Sequence, residues 1–269
     1  MDHVYKISEI KSLGDFITYL NDHHDSDDLL FRGQSDDSPL IPKLGRIRLA
    51  GLYSEKEMFN EFVRHLPSYI SQVPTSPWEL LAIAQHHGMA TRYLDWSSNP
   101  LAALWFAVER PFQRWGRRIA IKGEKDHGVV WVLKYRKAQF VTLKDKNPFR
   151  IKQIKIYSPP LIAARILAQA GFFTVHPPDN NKHFSPLEED EVYAKQLTKI
   201  IVPAEAFAGI RRSMDRCGFN AATMMVDLDG AACHIAWQHS LLEDEEDDTA
   251  EKTVQKFIKE NPKVHIYRG

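Results

Sequence analysis

Five consecutive apolar residues, Val129-Val130-Trp131-Val132-Leu133, constrain this 269-residue chain more than any other feature. A run that is β-branched and aromatic, with no polar alternation, reads as a central strand. Shorter strands are read at 29–31, stopping at Arg32-Gly33-Gln34, and at 91–96, 172–175, 200–202 and 222–226. Helices fall between them. Ser12 and Asp15 stand in capping-box spacing ahead of Leu13, Phe16, Ile17 and Leu20, giving an N-terminal helix over 12–22. Met58, Phe59, Phe62, Val63 and Leu66 make a stripe over 54–66 that Pro67 ends. Ser76, Pro77 and Glu79 form a start signal for a helix through Leu80, Leu81, Ala84 and His87 to Gly88, which suits the left-handed closing position. Asn99-Pro100 opens another, with Leu101, Leu104, Trp105 and Val108 buried. Further helices are read over 203–216, ending at Gly218, from Asp229 through Trp237, and over 249–260. Strands and helices mix without strict alternation, which predicts an α+β fold.

Hydrophobic residues make up 43% of the chain and charged residues 26%, and no Gly/Ser linker or internal repeat divides it. One domain over 1–240 followed by an acidic, solvated linker and tail over 241–269 is therefore expected. Net charge is zero, so the chain as a whole carries no basic signature. Cys217 and Cys233 have neither metal-type spacing nor a disulfide framework and read as buried or inert thiols. The start, MDHVYKISEIKS, lacks the apolar core of a signal peptide. No stretch of about eighteen uncharged apolar residues suits a membrane span either, so a cytoplasmic location with no membrane contact is expected.

Three segments carry a family resemblance. They are Phe31-Arg32-Gly33-Gln34; Gln85-His86-His87-Gly88-Met89-Ala90-Thr91-Arg92-Tyr93-Leu94-Asp95-Trp96 with Asn99-Pro100-Leu101-Ala102-Ala103-Leu104-Trp105-Phe106-Ala107; and Gln169-Ala170-Gly171-Phe172-Phe173-Thr174. Ile200–Pro203 and Asp227–Gly230 look like closing elements. Together they resemble the FRG-domain family over roughly 25–240, with the motif core at 25–110. The resemblance implies a layout like that of the ADP-ribosyltransferases: a split antiparallel sheet with flanking helices, holding NAD in a cleft. By motif, Arg32 takes the role of the NAD-binding first-strand residue, and 94–97, running into the Asn99 helix, that of the strand framing nicotinamide. Gln169 falls near the third site, where that fold usually has Glu. Glu191, beside Asp190, is an acidic substitute whose place relative to a strand fits poorly.

Arg32, Gln169 and Asp95 are the catalytic candidates, and NAD is the expected cofactor, used as substrate without a metal. Arg32, Gly33, Gln34, His86, Thr91, Arg92, Phe172 and Phe173 are the candidates to bind it. A planar guanidinium pairs two ways with a pyrophosphate, and Gly33 leaves room for a ligand to approach. The competing reading makes Arg32 a structural partner of Asp95, and Arg92–Asp95 an internal ion pair. His86, near a helix end, suits an anion, whereas His87 falls on the apolar face. Trp96, Trp105 and Phe106 read as core. Of Phe172 and Phe173, alternation sends one inward and leaves the other to stack.

Between 110 and 155 fourteen Lys/Arg face three acids, with aromatics interleaved. Phosphate tracking plus base stacking needs that mixture, so Arg114, Arg117, Arg118, Lys144, Lys146, Arg150 and Lys152 are candidate nucleic-acid contacts; a solvated surface is the competing reading. The expected function is an ADP-ribosyltransferase-like toxin or phage-defence effector that uses NAD to modify a macromolecule, RNA or DNA among them, with an antitoxin or chaperone protein as partner. The alternative is a non-catalytic nucleotide- or nucleic-acid-binding module of a defence or sensor complex. A metal-dependent nuclease is disfavoured by the absence of clustered carboxylates.

Overall fold

The computed structural model describes residues 5–24, 26–49, 54–109, 127–160, 171–240, 242, 244 and 245. Seven strands form one sheet: β1 (Lys6–Glu9), β2 (Leu29–Gln34), β3 (Tyr93–Ser97), β4 (His127–Lys134), β5 (Lys155–Tyr157), β6 (Gly171–Val175) and β7 (Leu197–Pro203). Their spatial order is β1, β7, β4, β2, β3, β6, β5. The α-helices are α1 (Leu13–His23), α2 (Lys43–Arg46), α3 (Glu55–His65), α4 (Pro77–His86), α5 (Pro100–Val108), α6 (Phe207–Arg216), α7 (Ala221–Met225) and α8 (Leu228–Gln238). The fold is α+β, as expected. The sheet is mixed rather than antiparallel throughout, because β1 runs parallel to β7.

The apolar run sits on β4, central as its composition requires. Val130 and Val132 face one layer with Phe31, Ile200 and Val202, beneath α1, α5 and α6. Val129, Trp131 and Leu133 face the other with Leu30, Leu94, Trp96 and Leu197. This second face is roofed by the segments after β2 and β6, where Leu40 and Leu187 are buried and Leu187 N donates to Leu40 O at 3.1 Å. The β3–β6–β5 end has its own cover: α3 and α4 bury Phe59, Trp78, Leu81 and Ile83 against Tyr93, Phe173 and Val175.

Between β2 and β3 the sheet narrows. β2 matches β4 over six residues and β3 matches β6 over five, yet β2 and β3 share only Phe31↔Ser97. The three residues of the Phe31-Arg32-Gly33 triplet divide their tasks around this joint. Phe31 enters the core under α5, and Arg32, one residue on, points to the opposite face. Gly33 returns to the α5 side. A Cβ there would lie 1.8 Å from Ala103 O, and one at Gly128 would lie 2.3 Å from Ala107 O. The missing side chain of Gly33 thus makes room for helix α5, not primarily for a ligand.

Local signals mostly hold. Ser12 accepts from Asp15 N, Ser54 and Glu57 close a reciprocal capping box, and Asn99 accepts from Leu101 N. Gly88 and Gly218 adopt φ of +86° and +81° behind α4 and α6. Several expectations need correction. Ser76 precedes α4 but its hydroxyl makes no cap bond, so no capping box forms with Glu79. The expected strand at 222–226 is the short helix α7, because Asn220 and Thr223 cap it reciprocally. Asp227, not Asp229, caps α8 by accepting from Gly230 N. His87 is exposed where a core position was expected, since α4 ends one residue earlier. Cys217 is exposed and Cys233 half-buried, so neither is a buried thiol.

The acidic run is not simply solvated. Arg211, buried on α6, pairs with Asp244 at 2.7 Å and Glu245 at 3.0 Å, and donates to Val108 O at 3.0 Å. Glu245 also accepts from Trp237 Nε1. A desolvated guanidinium needs acceptors on all sides, and the acidic segment supplies them. The helix expected over 249–260 lies outside the described residues.

Gly33→Ala is expected to cost about 3 kcal/mol, since backbone opposes the new methyl and overpacking of this kind is at the upper end of the usual range. Urea denaturation of Gly33→Ala beside an exposed control such as Gly14→Ala checks this.

Candidate functional site

Arg32 occupies the joint between β2 and β3. Its Nη1 donates to Asp95 O at 2.9 Å and lies 3.8 Å from Asp95 Oδ2. The side chain is only 15% exposed, and Nε is buried with no hydrogen-bond partner. Burial lowers the pKa of the guanidinium, Asp95 opposes that shift, and Arg46 reinforces it. A guanidinium still stays charged, so an anchored cation with spare donor capacity faces this joint.

Asp95 is held in turn. Gln85 Nε2, on the last turn of α4, donates to Asp95 Oδ2 at 2.9 Å. Gln85 Oε1 accepts from Thr91 Oγ1 at 2.7 Å, and Thr91 Oγ1 accepts from Tyr93 N at 3.1 Å. Thr91, Gln85, Asp95 and Arg32 therefore form one chain of hydrogen bonds, which explains why these residue types share one block. Asp95 is 58% exposed and acts here as an orienting acceptor for Arg32. The structural bridge between Arg32 and Asp95 does exist, and it leaves Arg32 Nε unused.

Beside Arg32 opens a cleft of about 360 Å³ lined by Gln34, Asp36, Arg46, Phe106 and Glu109. Gln34 Nε2 donates to Ser38 O, while Gln34 Oε1 is buried and unpaired. Two guanidiniums, a bare donor, a bare acceptor, an aromatic ring and two carboxylates suit a ligand bearing both phosphate and hydroxyl groups. Arg46, Asp36, Phe106 and Glu109 escaped the sequence reading. Phe106 had a signal: it falls off the Leu101–Leu104–Trp105–Val108 stripe. Arg46 and Asp36 had none, because only the path of the segment after β2 brings them to Arg32.

A second polar chain lies nearby. Trp96 Nε1 donates to Thr174 Oγ1 at 3.0 Å, and Thr174 Oγ1 meets His176 Nε2 at 2.9 Å. His176 is 1% exposed, and burial, then the charge of Arg32, push its pKa down to about 3. The imidazole is thus neutral, and its Nδ1 has no hydrogen-bond partner.

Other candidates are placed elsewhere. Arg92 is buried in a pair with Glu55 at 2.7 Å and donates to Pro148 O at 3.1 Å, so it pairs with Glu55 rather than Asp95 and braces α3. Thr91 is wholly buried in the chain described above. Phe173 stacks on Tyr93 at 4.9 Å inside the core. Phe172 is half-buried on the opposite face, near Phe140, and neither ring lines the cleft. His86 is half-buried against His87 and also outside the cleft lining. Glu191 is exposed ahead of β7. Lys144, Lys146, Arg150 and Lys152 are exposed on the β4–β5 connection. Gln169, Arg114, Arg117 and Arg118 lie outside the described residues. Among the described residues no group of three or more His, Cys, Asp or Glu is placed to hold a metal, and no helix is long and apolar enough to cross a membrane.

Comparison with protein families matches residues 27–115 to the FRG domain. That interval runs from the start of β2 past the end of α5, and so contains Arg32, the Gln85–Asp95 chain, Phe106 and Glu109. No curated protein and no solved structure matches the chain.

His176 should make stability acid-sensitive. The unfolded imidazole titrates near 6.5 and the folded one near 3, so the unfolded state takes the proton first and stability falls as pH drops through that window. The expected slope is about 1.4 kcal/mol per pH unit, visible in urea titrations from about pH 7 to pH 4.5, and His176→Gln should flatten it. Arg92→Met, which strands the Glu55 carboxylate, is expected to cost about 3–5 kcal/mol; the Glu55→Leu/Arg92→Met double variant should recover most of that in the same assay.

Proposed function

We propose that this chain, whose residues 27–115 are an FRG domain, binds NAD in the Arg32 cleft and transfers its ADP-ribose to a macromolecule. The observation that carries the reading is the buried, half-used guanidinium of Arg32 where the sheet narrows between β2 and β3. The resemblance implies a split sheet that holds NAD in a cleft, with a first-strand Arg and a second strand framing nicotinamide, and the narrowing between β2 and β3 fits that layout. Arg32 and Arg46 would hold the pyrophosphate, a task for which a forked donor in a water-poor cleft is well suited. Phe106 would stack on a ring of the ligand. Gln34 Oε1 and Asp36 would accept from ribose hydroxyls.

In the reaction the bond between nicotinamide and ribose breaks, and nicotinamide leaves with the bonding pair. An acceptor oxygen or nitrogen then attaches to the ribose carbon and gives up its proton. Glu109, the residue that caps the C-terminal end of α5, is the carboxylate we assign to that proton and to the developing ribose cation. Gln169 keeps a positioning part in this reading, since an amide carries no full charge. The setting as a toxin or phage-defence effector rests on the family resemblance alone.

A second reading has one sequence feature in its favour: the resemblance puts Gln169 near the position where a transferase of this layout usually has Glu. A non-catalytic nucleotide-binding module would need only Arg32 and the cleft.

The test is nicotinamide release from NAD by purified protein, with NAD binding followed by calorimetry. Arg32→Ala is expected to lower release by at least about 100-fold, the usual loss when one preorganised charged donor is removed. Glu109→Gln should lower release while leaving NAD bound. Binding without release by a folded wild type would leave the binding module, and neither would remove NAD from the account.

A further inference from the structure

Helix α4 is bracketed by two concave sites. Its last turn holds Asp95 and, through it, Arg32. Its first turn lines a second, open groove of about 680 Å³, bounded on the other side by the β4–β5 connection. From Pro77 to Gln85 the helix rises about 12 Å, so the two sites are close neighbours along one rigid rod.

The second cavity has an unusual mixture of features. Its wall includes Trp78 and Tyr157, both largely buried, with Leu143 at the rim 99% exposed. Tyr157 is 8% exposed and lines the groove. Burial, with Glu79 beside it, pushes the phenol's pKa up, so the hydroxyl remains a donor. Ser76 leaves the first turn of α4 without a side-chain cap, so backbone N–H groups there lack a side-chain acceptor. Lys146 stands at the edge of the same cavity.

The connection that forms the outer wall is strongly basic. Arg136, Lys137, Lys144, Lys146, Arg150 and Lys152 are all exposed on it. The one acid between 134 and 152 is Asp145, and its carboxylate is occupied by Lys155 at 2.6 Å and by Thr142 at 2.9 Å. These cations therefore face solvent with no other acid on the connection, and Glu79 is the carboxylate across the groove from Lys146. A solvated basic loop accounts for the lysines. It does not account for a half-apolar cavity with a donor hydroxyl and an uncapped helix start placed beside them.

We infer that this groove takes single-stranded nucleic acid, with one unpaired base in the cavity and the flanking phosphates on Lys144, Lys146, Arg150 and Lys152. Every base has a π-face for the aromatic and apolar wall, and Glu79 and the Tyr157 hydroxyl offer an acceptor and a donor to its edge. A phosphate meets Lys146 at the edge of the groove, on the side away from Glu79's contact with the base. A duplex keeps its bases stacked and cannot fill the cavity. Binding stands on these features alone. That the bound strand is the acceptor for ADP-ribose rests on the transferase reading above, and α4 supplies the spacing between the two sites.

The experiment is fluorescence anisotropy of labelled RNA and DNA single strands of about twelve nucleotides, against the corresponding duplex and against anionic vesicles, at about 50 and 200 mM salt. Single strands are expected to bind more tightly than duplex or vesicles; the RNA and DNA arms decide which sugar is preferred. Lys144→Glu/Lys146→Glu should weaken binding at least about tenfold and lower the salt slope by about 1.4, at about 0.7 per lost phosphate contact on a single strand. Both changes are on exposed side chains, so the variant should fold. Arg32→Ala should leave strand binding unchanged. Absence of binding at low salt, equal binding of duplex, preference for vesicles, or indifference to the Lys144/Lys146 exchange would each overturn the inference. Strand binding that persists while NAD turnover is absent would remove the transferase reading and leave this one standing.

Discussion

The architecture depends on how closely α5 lies on β2 and β4. Gly33 and Gly128 have no Cβ, and Ala102, Ala103 and Ala107 carry only one, so helix backbone meets sheet backbone almost directly. Dispersion falls off steeply with distance, and a contact this close fixes the helix axis more firmly than interleaved larger side chains would. Two consequences reach the cleft. Phe106 and Glu109, at the far end of α5, stand beside Arg32 because the helix cannot slide outward. Arg32 itself, flanked by the two residues that pack under the helix, has its backbone fixed and its side chain sent to the other face. The end of α5 is held again from behind, where Arg211 takes Val108 O together with Asp244 and Glu245.

Buried charge separates the structural cations from the functional one. Arg92 is answered by Glu55, Arg211 by the acidic segment, and Lys199 by Asp37 at 2.5 Å with the Trp131 ring beneath it. Each is paired closely enough to offset much of its desolvation. Arg32 is different. Its acceptors are a carbonyl and one distant carboxylate oxygen, with a second guanidinium, Arg46, nearby and Nε unmatched. Across β7, β4 and β2 the residues Lys199, Trp131 and Arg32 stand in register, so the indole separates two cations on one sheet face. A buried guanidinium left with an unmatched donor inside a well-packed fold is one that a ligand bearing acceptor oxygens would stabilise.

The strand at 129–133, the caps at Ser12, Ser54 and Asn99 and the stops at Gly88 and Gly218 were legible because each depends on residues within a turn of one another. The segment at 222–226 was misread for the same reason: apolar Ala, Met and Val suggest a strand until Asn220 and Thr223 are recognised as a cap. At the candidate site, Arg32, Gln34 and Asp95 were legible through their motifs. Arg92 was not separable from them, since nothing local reveals that Glu55, 37 residues away, will neutralise it. The acidic run at 244–245 looked solvated because its partner, Arg211, lies on α6, with two further helices, α7 and α8, in between.

By itself, the sequence determined the elements, the central place of the apolar run, the α+β class and the residues that carry the FRG resemblance. All of these follow from short-range rules: the period of side-chain direction, the fixed φ of proline and the hydrogen bonds of caps. Tertiary structure alone decided that the sheet is mixed, that it narrows between β2 and β3, and that Arg46, Phe106 and Glu109 meet Arg32. It also decided which buried cations are satisfied. Pairing of charges and closure of a cleft depend on distances between segments far apart in the chain, and those distances are set only when the helices and the sheet pack.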